Sequence, residues 1–201
     1  MNREFDLIIY GATGFTGKLA VEYIDNNYSD LKWAIAGRNS EKLNQISNST
    51  KSKPPIFIAS SDDGNSLSEV VKKTKVIASL AGPFSKYSNE LVNQCYENNT
   101  NYVDITGENI WVRDLIDRYH KGCEEKGIFI IPSCGYDSIP SDIGSFYCHM
   151  MLNENIDHID GYHTGKGGVS GGTIESAFNM KNYKSSYKIC LLYTSDAADE
   201  S

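Results

Sequence analysis

The run Gly11-Ala12-Thr13-Gly14-Phe15-Thr16-Gly17 constrains this chain more than any other segment. Glycines at every third position are a weak signal alone. Their neighbours give them weight. Leu7-Ile8-Ile9-Tyr10, just before, is a short apolar run of the kind a strand buried on both faces shows. Leu19, Ala20, Tyr23 and Ile24, just after, recur at helical spacing. A buried strand, a glycine turn and a helix start in direct succession are the opening unit of a Rossmann-type, doubly wound parallel sheet.

The chemistry of that unit follows from its backbone. Gly11 permits the tight turn, Gly14 lets the main chain approach a pyrophosphate, and Gly17 lets the helix pack close to the sheet. Open N–H groups and the helix dipole favour negative charge there. A dinucleotide is the expected ligand, held by Gly11, Thr13, Gly14, Phe15, Thr16 and Gly17. The end of the next strand selects between cofactors. An NAD-preferring domain places Asp or Glu there for the ribose 2′-OH. This chain has Ala36-Gly37-Arg38-Asn39. Without the carboxylate, a 2′-phosphate is not repelled, and Arg38 supplies a charge-assisted contact. The expected cofactor is NADP(H), with Arg38 and Asn39 beside it.

Further strands are expected at Trp33–Ala36, Ile56–Ala59, Val76–Leu80, Tyr102–Ile105 and Ile128–Ile131, alternating with helices. Ser40 is the expected cap of a short helix carrying Leu43 and Ile46, and Ser66-Leu67-Ser68-Glu69 fits a capping box. Helices are expected at 88–98 and 109–126, the second ended by Gly127. Ala81-Gly82-Pro83-Phe84 follows the fourth strand, where proline stops regular structure. By the switch-point rule the nicotinamide half passes there. Small residues leave room for its ribose and Phe84 is placed to flank the ring, although a plain Gly-Pro turn reads equally well.

Catalytic candidates follow the fifth and sixth strands. Tyr136 is a candidate proton donor, with Asp137 or Glu108 to orient it. Asp137 and Ser138 serve equally as caps of the helix that Pro140 begins. The Tyr-x-x-x-Lys pair of short-chain dehydrogenases is missing from the helices at 88–98 and 109–126. Tyr162 and Lys166 match it only in a strand-to-loop region, as a chance pairing among 13 tyrosines. His120, His149, His158 and His163 show no metal-ligand spacing, so no metal is expected.

Composition sets the outer limits. With 201 residues, 40% of them hydrophobic and 22% charged, the chain suits one domain and part of another. A formal charge of -7 and no long basic run argue against nucleic acid as the main partner. Five scattered cysteines without a C-x-x-C pair read as a reduced, intracellular protein. No secretory pattern is seen at the start, and no apolar run reaches the roughly 18 residues of a membrane span. The default location is cytoplasmic. The expected division is a cofactor domain at 1–145, an incomplete α/β substrate domain starting at 146–189, and a tail at 190–201. In the second part, a strand is expected at Ile156–His163 and a helix at Thr173–Met180, after a glycine-rich loop. The tail, with Leu192-Tyr193-Thr194-Ser195-Asp196-Ala197-Ala198-Asp199-Glu200, resembles translated sequencing adaptor. The native sequence is then expected to end near Ile189; a frayed acidic tail is the other reading.

The glycine loop, Ala36-Gly37-Arg38, Ala81-Gly82-Pro83-Phe84, Tyr102-Val103-Asp104-Ile105-Thr106-Gly107-Glu108, Gly135-Tyr136-Asp137-Ser138-Ile139-Pro140-Ser141-Asp142 and Ser170-Gly171-Gly172-Thr173 occur in this order. Together they resemble the saccharopine dehydrogenase-like oxidoreductases, including bacterial trans-acting enoyl reductases, over roughly residues 5–185. The resemblance implies an NADP-binding Rossmann domain, a following mixed α/β domain and hydride transfer, in some members to lipid or polyketide double bonds. It also implies peripheral membrane or lipid-droplet association for animal relatives, and leaves a homodimer open. Saccharopine dehydrogenase activity itself does not follow. The leading expectation is an NADP(H)-dependent oxidoreductase reducing a C=C bond of a lipid- or polyketide-like substrate. The rival is a non-catalytic NADP-binding sensor or assembly module.

Overall fold

The structure is a computed structural model that describes residues 3–152, 157–164, 166, 168 and 171–181. Six parallel strands form one sheet: β1 (Phe5–Tyr10), β2 (Trp33–Gly37), β3 (Ile56–Ile58), β4 (Thr74–Ser79), β5 (Asn101–Asp104) and β6 (Ile130–Ile131). Their order is β3-β2-β1-β4-β5-β6. The chain moves outward from β1 to β3, then crosses back to β4 on the other side of β1. Connections leave β1 and β4 in opposite directions, which opens a crevice at their carboxyl ends.

Side-chain alternation builds two apolar layers. Paired residues of neighbouring strands point to one side of a sheet. Ala34, Ile8, Ile77 and Tyr102 are aligned in this way and are fully buried. They pack with Leu67, Val70 and Val71 of α3 (Gly64–Val71), Leu91, Val92 and Cys95 of α5 (Asn89–Glu97), and Trp111, Leu115 and Tyr119 of α6 (Asn109–Lys126). On the other side, Ile9 and Ile35 pack with Val21 of α1 (Phe15–Asn27) and Leu43 and Ile46 of α2 (Ser40–Ser49). Burial on both faces explains why these strands read as continuous apolar runs.

Local signals shift several boundaries. Helix α2 begins at Ser40, but its cap is Asn39, whose Oδ1 accepts a hydrogen bond from Lys42 N at 2.9 Å. Helix α3 begins ahead of the expected capping box. Asp63 caps it by accepting from Asn65 N at 3.1 Å and Ser66 N at 3.3 Å. Asp63 is a short acceptor in extended conformation just before the helix, which suits an N-cap better than Ser66 inside the turn. Gly127 ends α6 in the left-handed region at φ 65°, as expected. After Pro83 the chain does not stop regular structure but forms a single helical turn, α4 (Phe84–Tyr87).

Helix α7 (Ile139–Leu152) runs through residue 145 without a break, and none of its residues is buried. The expected strand at Ile156–His163 is not formed by the described residues 157–163, and Ile156 lies outside them. Helix α8 (Gly171–Lys181) spans the expected helix and starts two residues earlier. Residues 182–201, and with them the suspected tail, lie outside the described residues. Among the described residues no helix is long and apolar enough to cross a membrane.

Candidate cofactor site

The glycine loop is shaped by two close backbone contacts. Gly11 has φ +83°, and a Cβ there would stand 2.9 Å from Cβ of Ala81. The β1 turn thus lies directly against the residues that follow β4. A Cβ at Gly17 would stand 2.3 Å from the carbonyl oxygen of Gly11. Helix α1 therefore sits closer to the turn than any side chain allows. At Gly14 the nearest atom would be 3.4 Å away, the same Gly11 oxygen, which is ordinary contact. Gly14 is the cap residue of α1, with no side-chain cap and no acidic residue in the first turn. The open amides and dipole of such an N-terminus favour negative charge.

A cleft of about 200 Å³ opens at this carboxyl edge. Gly11, Thr13 and Gly14 line it from the loop, Arg38 from the end of β2, and Ala81 and Gly82 from the end of β4. These six were expected. Tyr10, Gly37, Ser61, Leu80 and Tyr87 also line it and were not. Ser61 follows β3 on the same edge, a position the strand order makes predictable. Tyr87 belongs to α4, a turn too short to show periodicity. A hollow of about 230 Å³ at the opposite edge, near Phe5, Trp33 and Pro54, is slightly larger. It lies away from the glycine loop and Arg38, so size does not identify the site.

Charge is concentrated where β1, β2 and β3 end. Burial pushes the Tyr10 phenol up to about 12, against the pull of Arg38, while the Asp62 charge adds to the rise. Its hydroxyl reaches the carbonyl of Ala59 at 3.4 Å. The Asp62 carboxyl is held below its ordinary range, first by the Ser60 hydroxyl and in smaller part by Arg38. Arg38 itself is exposed. Asn39, expected beside the cofactor, commits its Oδ1 to capping α2.

Phe84 departs from expectation. Its ring is 6% exposed and stacks on Trp111, with centroids 6.1 Å apart and planes at 28°. A ring buried in the core does not flank a nicotinamide. Instead, Gly82 lies over it: a Cβ on Gly82 would meet the Phe84 ring at 3.1 Å. Small size at position 82 therefore serves packing against Phe84. Pro83 is buried as well, while Phe15 is 74% exposed at the start of α1.

The three catalytic candidates are dispersed. Glu108 is 2% exposed. Its Oε1 accepts from Phe84 N at 2.8 Å and from Ser176 Oγ at 2.9 Å, and its Oε2 from Ser85 N at 3.1 Å. The carboxylate thus caps α4 rather than facing Tyr136. Tyr136 is largely exposed, with its ring edge-on to His163 at 6.1 Å. His163 Nε2 lies 3.3 Å from Ser141 Oγ. Asp137 is exposed. No hydrogen bond among the described residues joins Tyr136 to Asp137 or Glu108. A different acid organises this edge. Asp104, 1% exposed, accepts from the Tyr102 hydroxyl at 2.8 Å, Thr106 N at 2.9 Å and Ser133 N at 3.0 Å. It ties the turn after β5 to the turn after β6. Burial raises its carboxyl above the usual aspartate value, against those three donors.

The sheet order and the glycine turn at the switch point define a Rossmann-type dinucleotide-binding domain, with Arg38 exposed at the end of β2. Residues 7–131 match the saccharopine dehydrogenase NADP binding domain. Over 190 residues the chain is 30% identical to a lipid droplet localized protein of Caenorhabditis elegans, covering 90% of this chain and 44% of that protein. Over 156 residues it is 37% identical to a trans-acting enoyl reductase of Mycobacterium tuberculosis, covering 76% of this chain and 37% of that protein. Apo saccharopine dehydrogenase (L-Glu forming) from Saccharomyces cerevisiae shares the fold, with a TM-score of 0.61 at 16% identity, covering 74% of this chain and 31% of that one. This chain belongs to the saccharopine dehydrogenase NADP-binding domain family, and NADP is its cofactor. It spans less than half the length of these curated relatives.

Proposed function

We propose that this chain forms the cofactor-binding part of an NADPH-dependent oxidoreductase that reduces a C=C bond of a lipid- or polyketide-like substrate. The observation that carries the cofactor half is Arg38, exposed on the rim of the glycine-loop cleft where β2 ends. The α1 N-terminus takes the pyrophosphate, Arg38 the 2′-phosphate, and the Ala81–Gly82 side the nicotinamide ribose. Bound NADPH supplies a hydride, and the product needs one proton besides. Tyr136, exposed after β6 on the same edge and next to His163, is the proposed proton donor. Asp137 is its neighbour in the chain, and Glu108 supports the cofactor turn through α4. In this reading residues 1–145 hold cofactor and residues 146–189 begin the substrate domain. The reductase and lipid themes come from the names of the mycobacterial and nematode relatives. They suit a cytoplasmic enzyme working at a lipid surface.

Two measurements test this reading. Arg38→Ala removes a charge-assisted contact of about 1.5 kcal/mol, so NADPH affinity should fall roughly tenfold while NADH affinity stays unchanged. Equal losses would refute the 2′-phosphate assignment. Anaerobic mixing of a full-length version of the protein, with its substrate domain, with NADPH and a panel of enoyl thioesters should oxidise NADPH. Tight NADPH binding with no oxidation across the panel would instead favour a sensor.

A further inference from the structure

Helix α4 starts without a side-chain cap of its own, because its cap residue is Pro83. The missing acceptor comes from far along the chain. Glu108, at the start of α6, makes no side-chain hydrogen bond to its own helix. Its buried carboxylate takes the Phe84 and Ser85 amides of α4 instead. It has room for a third donor, and that donor is the Ser176 hydroxyl of α8, at 2.9 Å. The residue before it, Glu175, lies 3.6 Å from Lys86 Nζ, again on α4. Two consecutive residues of α8 therefore grip one short helix, one through a buried carboxylate and one through a surface ion pair.

Position gives that grip its consequence. The turn leading into α4 carries Ala81 and Gly82, and α4 carries Tyr87; all three line the cofactor cleft. Phe84 anchors the other side of α4 on Trp111. The nicotinamide side of the cleft is thus braced from the core by Trp111 and from the later part of the chain by α8.

We infer that Glu108 and Ser176 form a positioning strut through which α8 sets the Ala81–Tyr87 turn, so that docking of α8 controls how tightly the cofactor is held. This rests on the cofactor cleft assigned above and not on the identity of the substrate. Because the strut acts on the nicotinamide side, which NADPH and NADH share, it affects both cofactors alike. Arg38 acts on NADPH alone. The two contributions therefore have different signatures.

The test uses the chain as it stands, with NADPH and NADH titrated separately and thermal unfolding followed in parallel. Ser176→Ala should weaken both cofactors about fivefold while leaving the unfolding midpoint in place. Ser176→Thr, which keeps the hydroxyl, should restore both. Glu175→Lys should weaken both, and its combination with Lys86→Glu should recover them. Trp111 emission should shift in Ser176→Ala, because Phe84 rests on that ring. Wild-type affinity for both cofactors in Ser176→Ala and in Glu175→Lys would overturn the strut. A loss confined to NADPH would overturn it as well, since that pattern belongs to Arg38. If Gly14→Ala, on the glycine loop, leaves NADPH and NADH binding unchanged, the cleft assignment falls and the strut falls with it.

Discussion

The glycines of one loop have separable duties. At Gly17 an added methyl would lie 2.3 Å from a backbone oxygen and 2.8 Å from Ala12, and backbone cannot swing aside as a long side chain can. Gly17→Ala is expected to cost about 1–3 kcal/mol of stability, read by urea unfolding. At Gly14 the nearest atom is 3.4 Å away, so Gly14→Ala should leave stability in place and weaken NADPH, whose phosphates must approach there. Equal stability losses in the two variants would contradict this division. Asp104 gives a pH-dependent case. Its carboxyl is raised by burial. A group with a folded pKa above its unfolded one supports the fold fully below the unfolded value. That support is lost as pH rises through the folded value. Asp104→Asn keeps an acceptor for the Thr106 and Ser133 amides and stays neutral. Its stability relative to the unaltered protein should therefore improve as pH rises between the ordinary aspartate value and the raised one. A difference independent of pH would contradict the assignment.

Among elements, caps separate local from distant information. Asp63 accepts from two amides within three residues, so Asp63→Ala should cost about 1 kcal/mol and lower the unfolding midpoint. If the midpoint holds, the cap is redundant. This cap and that of α2 lie within three residues of the serines that the sequence offers, Ser66 and Ser40, a shift between neighbouring Ser, Asn and Asp. All three residue types accept the same hydrogen bond, so sequence ranks them poorly. Helix α4 is a different case. Four residues after a proline carry no periodicity, and the acceptor that completes its first turn sits 24 residues away. Glu108 is a candidate orienting residue in the sequence, but its partners come from α4 and α8, which only the fold brings to it. The same holds for Phe84, whose aromatic ring suits a ligand or a core equally until Trp111 is placed beneath it.

Across the whole molecule, the two faces of the sheet are covered unequally. Ile35, Ile9, Ala78, Val103 and Ile131 align across the strands on one side. Ile35 and Ile9 are sealed under α1 and α2, Ala78 and Val103 are half-buried, and Ile131 is 47% exposed. Helix α7 adds exposed Phe146, Tyr147, Met150 and Met151. Apolar surface on this scale binds hydrophobic dyes and promotes association. The folded chain is expected to bind such a dye and to self-associate as its concentration rises. Phe146→Glu with Met150→Glu should reduce both without lowering stability. A folded chain that takes up no dye would argue that this surface is covered. By itself the sequence determined the glycine turn between β1 and α1, the parallel strands and the NADP-binding family. Each depends on residues adjacent in the chain: a glycine turn between strand and helix, unbroken apolar runs, short motifs at strand ends. Only the tertiary structure decided that Glu108 braces α4, that Ser176 reaches it from 68 residues away, and that Phe84 belongs to the core. A buried carboxylate or ring takes its role from whichever donors and surfaces the fold brings to it, and those arrive from distant parts of the chain.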